Sequence, residues 1–494
     1  MEILLTLSYS FLFIWLIKRL HFFQIDGIPR LWLIAVFVLK VLSGVFFWYI
    51  YTYYYPVRSD ADIYKYFDDS KIMFDALRQH PSDFFKMLLG FDGAPYLYEE
   101  YYSKMQLWSP RFKHVVNLEN HTMIRVSVLF RLFSMGFYQV HNVFINALSF
   151  AGLVALYKAF VGYVNGKNKL LFIAVFLVPT VLFWGSGVIR ESFILFAMGF
   201  TIYYWNKLIV EYRSVKNITG VIVFVLLLFA IKITLCVLII LGFIAWYLSL
   251  HKQRWPVAMN FVLLTFFGFF AVAALAKLTS HNYFNTYVTK QIDFINTSNG
   301  GLYLLNNNKM IYVPYNKREK LLEQVGDSIY KVRPGSDYYY YNMPNSADTN
   351  YVYNSADTLT YKLFSATVPA KSTIRIPLLT ASPWSFIKNA PTAFINVFAR
   401  PSVFESADPF TLIAAVENET VMLLLIIALM FVNRSAISLP VLWFCLFLVT
   451  GFYVMIGWVT PTLGAIVRYK AVVFPFLMIA LVLLFDHKKK IKLR

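Results

Sequence analysis

The sequence predicts an all-α polytopic membrane protein with about eleven transmembrane helices, and three observations carry that expectation. Hydrophobic residues fill 59% of the 494 positions, charged residues only 14%, and the mean hydropathy is +0.58. No water-soluble fold needs so much apolar surface. Apolar runs recur at 2–18, 31–53, 140–162, 169–185, 191–210, 217–231, 233–250, 256–277, 417–433, 437–457 and 467–486, many of them close to the ~20 residues that a helix needs to cross hydrocarbon. Basic residues, finally, gather in alternate connections: Lys18-Arg19, Gly166-Lys167-Asn168-Lys169, Tyr212-Arg213-Ser214-Val215-Lys216, His251-Lys252-Gln253-Arg254, Asn433-Arg434 and the tail His487 to Arg494.

Lys and Arg are retained on the cytoplasmic side, so these segments set the orientation. The expected N-terminus is outside and the C-terminus cytoplasmic. Residues 54–139, the turn around Gly185 to Glu191 and the excursion 278–416 then all lie on the outer side. The same distribution disposes of the formal charge of +19 as a nucleic-acid signal, because no basic stripe falls on a soluble module. Aromatic residues reach 19% and sit where spans end, as interfacial anchors do. Cys236 and Cys445 lie inside apolar runs, which supports neither a disulfide framework nor a thiolate metal site.

Taken in order, residues 1–53 read as N-terminal transmembrane helices, the first of them retained, since Met1 to Ile17 has no basic leader or small-residue cleavage site. Residues 54–139 read as a first extracytoplasmic loop with interfacial jaw helices at Ala61 to Gln79 and Pro81 to Leu89, the proline fitting a helix start. An amphipathic helix over 123–137, interrupted by Arg125 and Arg131, is expected along the outer interface. Residues 140–277 hold the central transmembrane helices, with 217–250 either one overlong helix or, as basic residues at both ends favour, a hairpin broken around Ile231-Lys232-Ile233-Thr234. Residues 278–416 form a small mixed or β-rich extracytoplasmic lid, since Lys309 to Val313, Ser328 to Val332 and Asp337 to Tyr341 are rich in β-formers between turn signals. Within it Asn345-Ser346-Ala347-Asp348-Thr349 returns as Asn354-Ser355-Ala356-Asp357-Thr358, which reads as a local duplication. Residues 417–494 complete the C-terminal helices and basic tail.

Charge near apolar spans costs about 2.5–3.5 kcal/mol at mid-helix on insertion scales, so each ionisable group there needs a reason. Asp60 and Asp62 follow the aromatic outer end of the second span and are the candidate catalytic residues, placed to take a proton from an acceptor hydroxyl. A helix N-cap is the competing reading. Asp68-Asp69 offers a further carboxylate pair or a metal ligand, against a solvated helix face. Around Trp184-Gly185-Ser186-Gly187 an apolar helix breaks and restarts with Arg190 and Glu191, a pattern tolerated at membrane depth where backbone lines a cavity. Arg190 is thus a candidate phosphate ligand oriented by Glu191, or else half of a structural pair. Arg468 and Lys470 open the last span from outside against the positive-inside trend, which calls for an anion or for snorkelling. Lys232, at the hairpin tip, joins this candidate anion set, whereas Lys40 has no evident partner. The segment Phe398 to Glu405 reads as an anchor of the lid. No phosphate-binding glycine loop, zinc-ligand spacing or serine nucleophile elbow is present.

With Asp60-Ala61-Asp62, Gly185-Ser186-Gly187-Val188-Ile189-Arg190-Glu191 and Arg468-Tyr469-Lys470 in those places, the layout resembles bacterial polytopic enzymes of surface-polysaccharide assembly. These are the GT-C class of glycosyltransferases and the EpsG-like and Wzy-like polymerases. The resemblance implies an enzyme of the bacterial inner membrane that moves a sugar from a polyprenyl-phosphate-linked donor to a glycan, lipid or protein acceptor at the outer face. It implies an acidic residue of the first outer loop at the reaction centre, which falls on Asp60 or Asp62. An extra N-terminal helix and a mid-chain soluble region depart from the simplest GT-C pattern. No cofactor follows from the sequence, and a divalent metal stays open. A Wzy-like polymerase, or a non-catalytic carrier, flippase or envelope scaffold, remains the alternative.

Overall fold

The computed structural model describes residues 1–494 except 56–57, 59–60, 92, 109–117, 211–213, 252–254, 280–281, 307–308, 315–316, 334–335, 343–348, 355–358, 407, 433–436 and 487–494. Asp60, most of the duplicated Asn-Ser-Ala-Asp-Thr segments, Arg434 and the basic tail therefore lie outside the described residues.

Among the described residues, seven helices are long and apolar enough to cross a membrane: Arg30–Tyr54, Tyr138–Tyr163, Arg190–Val210, Ile233–His251, Val257–Leu278, Pro409–Met430 and Leu439–Val459. A bent pair, Leu463–Lys470 and Phe474–Leu484, meets the same test jointly across a 63° bend and would make eight. The protein is thus an all-α membrane protein carrying a small antiparallel sheet. Three further expected spans are shorter pieces. Glu2–Arg19 is 18 residues with charges at both ends, and Val215–Ile231 has 17 residues.

The run 169–185 is not one helix. It divides into Asn168–Phe176 and Pro179–Trp184, with Val178 extended at φ −69° and ψ 120°. A residue before proline is pushed out of the helical region. The exposed backbone of the restart is met from the neighbouring span, where the Glu417 carboxylate accepts from Thr180 N at 3.0 Å and Thr180 Oγ1 at 2.6 Å. That span also begins eight residues before the apolar run suggested, because Asp408 caps it by accepting from Phe410 N and Thr411 N, each at 3.0 Å.

Two contacts fix the middle of the bundle. Arg190–Val210 lies against Tyr138–Phe160 through facing glycines: a Cβ on Gly199 would fall 2.0 Å from Gly152 O. Small residues let helix backbones close up in this way inside lipid. Beside them the Gly185-Ser186 break has its carbonyls satisfied by side chains. Gly185 O accepts from Lys40 Nζ at 2.6 Å and Ser149 Oγ at 2.8 Å, and Ser186 O from Asn146 Nδ2 at 2.8 Å. Lys40, fully buried, therefore has a backbone role that its sequence context did not show.

The connections sort to two ends. At one, Asn168 Nδ2 donates to Asp26 O at 3.2 Å, Lys167 Nζ donates to the carbonyls of Val482 and, at 2.8 Å, Phe485, and Val432 bridges Phe485. At the other, Thr122 Oγ1 donates to Ala230 O at 3.1 Å, which brings the first large loop to the hairpin break at Lys232. The loop helices are Asp62–Gln79, Pro81–Leu89 and Leu118–Ser134. The last, which covers most of the helix expected over 123–137, is packed against its neighbours on one face and leaves Leu129, Leu132 and Phe133 exposed on the other. Arg131 is 5% exposed and donates to Ser70 Oγ at 2.7 Å and to Phe67 O, and Arg125 donates to Met87 O at 2.8 Å. Asp69 likewise is buried and accepts from the backbone of Gln106 and Leu107 at 2.9 and 2.8 Å, in place of lying on a solvated face.

The described residues between 301 and 367 form the expected β-rich unit: β1 Gly301–Asn306, β2 Lys309–Pro314, β3 Leu322–Gly326, β4 Ile329–Val332, β5 Ser336–Asn342, β6 Thr349–Asn354 and β7 Thr360–Thr367. The strands order as β3-β4-β7-β1-β2-β5-β6, with antiparallel pairs throughout. One face buries Leu302, Leu304, Ile311, Val313 and Val332. From the other, Tyr303 donates to Asp293 at 3.0 Å and Tyr312 to Asn296 O at 2.8 Å, which fastens the sheet to the helix Tyr283–Asn299. That helix is held to the bundle by Gln291, whose Nε2 donates to Trp458 O at 2.6 Å. The returning strand-like segment adds Ile374 N to Pro461 O at 2.7 Å and Leu463 N to Ser372 O at 2.9 Å.

Candidate functional site

The candidate site forms where five elements end together. Asp62 stands in the first turn of Asp62–Gln79, directly after the π-helical tip of the second span. Arg190 and Glu191 open their span after the glycine break, in the first turn. Lys232 interrupts two helices with φ −152° and ψ 81°, a conformation that ends one and lets the next restart. Arg468 lies in the last turn of Leu463–Lys470, just before the 63° bend. Glu119, in the first turn of Leu118–Ser134, completes the set.

Two linked ion-pair groups result. Arg468 donates through Nε to Glu191 Oε1 at 2.8 Å, through Nη2 to Glu191 Oε2 at 3.2 Å and through Nη1 to Asp62 Oδ2 at 2.8 Å. A guanidinium held in this forked way is fixed in plane as well as in position. Arg190 Nη1 donates to Glu119 Oε2 at 2.6 Å, and Lys232 Nζ reaches the same oxygen at 3.1 Å. Lys65 approaches Asp62 at 3.9 Å, and Lys290, from the helix that bears the sheet, acts electrostatically on Glu119. Trp184 and Tyr469 face the Arg468 guanidinium at 5.9 and 5.8 Å from their ring centres.

The electrostatics follow from that arrangement. Burial pushes the Asp62 carboxyl up, but Arg468, Lys65 and Arg190 outweigh it and hold the group below the ordinary carboxylate range. Burial likewise opposes charge on Glu119, and Lys232, Arg190 and Lys290 bring it down to about 2. These eight side chains comprise five cations (Lys65, Arg190, Lys232, Lys290 and Arg468) and three carboxylates, so two positive charges are in excess.

Of the residues singled out from sequence, Asp62, Arg190, Glu191, Lys232 and Arg468 are thus brought together, although Asp62 and Arg468 are 406 positions apart. Asp60 lies outside the described residues. Lys470 points elsewhere: its Nζ donates to Asn418 Oδ1 at 2.9 Å and Arg400 O at 3.2 Å, a separate polar group. Asp68 is taken by Arg58, at 2.7 and 2.9 Å. Among the described residues no group of His, Cys, Asp and Glu has the grouping of a metal site. The residues that sequence reading missed are Glu119, Lys65 and Lys290. Glu119 carried one usable signal, an acidic residue just before an apolar helix, which marks a first turn. Nothing in the chain marked Lys290, which arrives through the sheet-bearing region.

No family model, curated protein or solved structure matches the chain.

Proposed function

We propose that the protein is a membrane glycosyltransferase that moves a sugar from a polyprenyl-phosphate-linked donor to an acceptor at the extracytoplasmic face of a bacterial cytoplasmic membrane. The observation that carries this reading is the Asp62–Arg468–Glu191 network beside the Arg190–Glu119–Lys232 group, at one end of an apolar bundle. Such a place suits a ligand with a hydrocarbon tail and a charged head.

In the reaction, the acceptor hydroxyl oxygen attacks the anomeric carbon, the bond from that carbon to the phosphate oxygen breaks, and its electron pair leaves with the phosphate. Asp62 takes the hydroxyl proton. Negative charge grows on the departing phosphate, so cations that meet it there lower the barrier more than they favour the bound donor. Arg468 has a second effect. Paired with Asp62 at 2.8 Å it makes the carboxylate a weak base, and as the guanidinium turns to phosphate the basicity of Asp62 recovers. The outward orientation rests on Lys18, Arg19, Lys167 and Lys169, which fall at the end of the bundle opposite the site.

The experiment is sugar transfer from a lipid-linked donor in membranes containing Asp62→Asn, Asp60→Asn or Arg190→Ala protein that inserts normally. Loss of transfer with Asp62→Asn and Arg190→Ala is expected. Full activity in all three would remove the mechanism. Activity in Asp62→Asn alone, with Arg190→Ala dead, would favour the polymerase reading, in which arginines act without an obligatory acid.

A further inference from the structure

Glu119 is the carboxylate of the site that sequence reading missed; basic residues from two separate elements bond it, and Lys290, from a third, acts on it electrostatically. Arg190 comes from the start of a span, Lys232 from the break between two helices and Lys290 from the helix that carries the sheet. Its oxygens are engaged from two sides: Oε2 by Arg190 at 2.6 Å and Lys232 at 3.1 Å, and Oε1 by Lys232 at 3.3 Å. The side chains are neither sealed in nor free in water, with Arg190 18%, Lys232 29% and Glu119 20% exposed.

A bridging carboxylate oxygen presents the same acceptor to an arginine and a lysine as a phosphoryl oxygen does. The charges match less well. Three cations against one carboxylate leave two positive charges uncompensated in this group, whereas a phosphate monoester, such as the carrier left after transfer, or a diphosphate linkage with one charge on each phosphate, carries about −1.5 to −2 at neutral pH. A phosphoryl group therefore fits the cradle better than its present occupant.

We propose that Arg190, Lys232 and Lys290 form a phosphoryl-binding cradle whose resting occupant is the Glu119 carboxylate, an internal competitor that the incoming phosphate or diphosphate displaces. The inference rests on the proposed function only for the lipid identity of the ligand; the anion cradle stands without it. Displacement links binding to assembly of the site. Glu119 belongs to the first large loop and Lys290 to the sheet-bearing region, so a ligand that replaces one and engages the other breaks one of the loop's ties to the cradle and adds one from the sheet-bearing helix.

The test is anion binding by the full chain in detergent, measured calorimetrically with two probes, inorganic pyrophosphate and geranylgeranyl phosphate. Glu119→Gln keeps the shape and removes the competing charge, and it should bind at least one probe about tenfold more tightly than the wild type, given the strength of hydrogen bonds to charged groups. Glu119→Gln/Lys290→Gln should lose that gain. A gain with both probes assigns the cradle to the phosphoryl group itself, a gain with the prenyl phosphate alone to a lipid carrier, and a gain with pyrophosphate alone to a free phosphate. No gain with either probe, including no binding at all, overturns the proposal and leaves Glu119 a structural ion-pair partner. If Glu119→Gln does not fold, Glu119→Asp withdraws the carboxylate by one methylene and is expected to show a smaller gain in the same assay. Because binding is read without turnover, a missing gain in a protein that transfers sugar strikes only the cradle, and a gain in a protein that transfers none strikes only the transferase.

Discussion

Removing Arg468 should cost the protein several kcal/mol, and most of the cost should come from Glu191. The guanidinium makes three charge-assisted hydrogen bonds, two to Glu191 and one to Asp62. Their side chains differ in exposure: Glu191 is 4% exposed, Arg468 14% and Asp62 29%. Deleting one partner of a buried pair costs about 3–5 kcal/mol because the other is left charged and dry. Asp62 keeps Lys65 at 3.9 Å and access to water, so its share is smaller. Arg468→Ala should therefore destabilise by ~3–5 kcal/mol, and Arg468→Ala/Glu191→Gln should recover ~1–3 kcal/mol of that, as coupled neighbours do. Arg468→Lys should fall between, since an ammonium cannot reproduce the forked contact. Cys236 and Cys445 are buried and report unfolding directly through a thiol-reactive dye during denaturant titration in detergent. An Arg468→Ala protein within ~1 kcal/mol of wild type, the range of an exposed ion pair, would refute the reasoning. So would a double variant no more stable than the single one.

Further outcomes follow from the same geometry. Asp62 is held below the ordinary carboxylate range, so it stays ionised where an unperturbed aspartate protonates, and any stability it contributes is lost only as pH falls through its depressed value. The acid limb of a kcat/KM–pH profile, which reports the free enzyme, should accordingly lie below that ordinary range, and a limb near neutral pH would point to another base. Asp69 behaves oppositely. Burial raises its carboxyl from 3.8 to about 6, so the folded state holds the proton more tightly and stability from this group falls as pH rises across that interval. Asp69→Asn should flatten that part of an unfolding-versus-pH curve, and an unchanged slope would contradict the assignment. Gly199→Val should cost about 1–3 kcal/mol by overpacking, since its Cβ meets Gly152 O at 2.0 Å; a wild-type midpoint would deny the close crossing. For sidedness, Ser82→Cys should react with a membrane-impermeant maleimide in intact cells and Lys169→Cys only after lysis, and the reverse pattern would invert the orientation.

Much of the bundle was readable because hydrocarbon imposes a local rule. The hairpin at Lys232 and the helix Pro81–Leu89 follow from a charge between apolar runs and from a proline at a helix start. The strands of the β-rich unit follow from Tyr, Val and Ile between turn residues. What hydropathy could not register is that an apolar run need not be one helix. Residues 169–185 break at Val178 because Pro179 follows; Glu417, from another span, supports that break, and Lys40, from a third, supports the later one at Gly185. The site divides along the same line. Arg190, Glu191, Lys232 and Arg468 stood out because charge in an apolar setting is costly. Glu119 and Lys290 sit in polar segments where charge is ordinary, so only the fold identifies them as partners. Arg131 shows the converse: a charge whose polar surroundings could not be read from its apolar stretch is buried against Ser70 and Phe67.

The most direct test is a structure of the full chain in a lipid nanodisc with a non-hydrolysable lipid-linked sugar phosphonate. The phosphonate is expected within hydrogen-bonding distance of Arg190 or Arg468, with the sugar facing Asp62 and the prenyl chain running down the apolar bundle. Phosphonate density away from both arginines, or at the end of the bundle marked by Lys167, would contradict the proposed function.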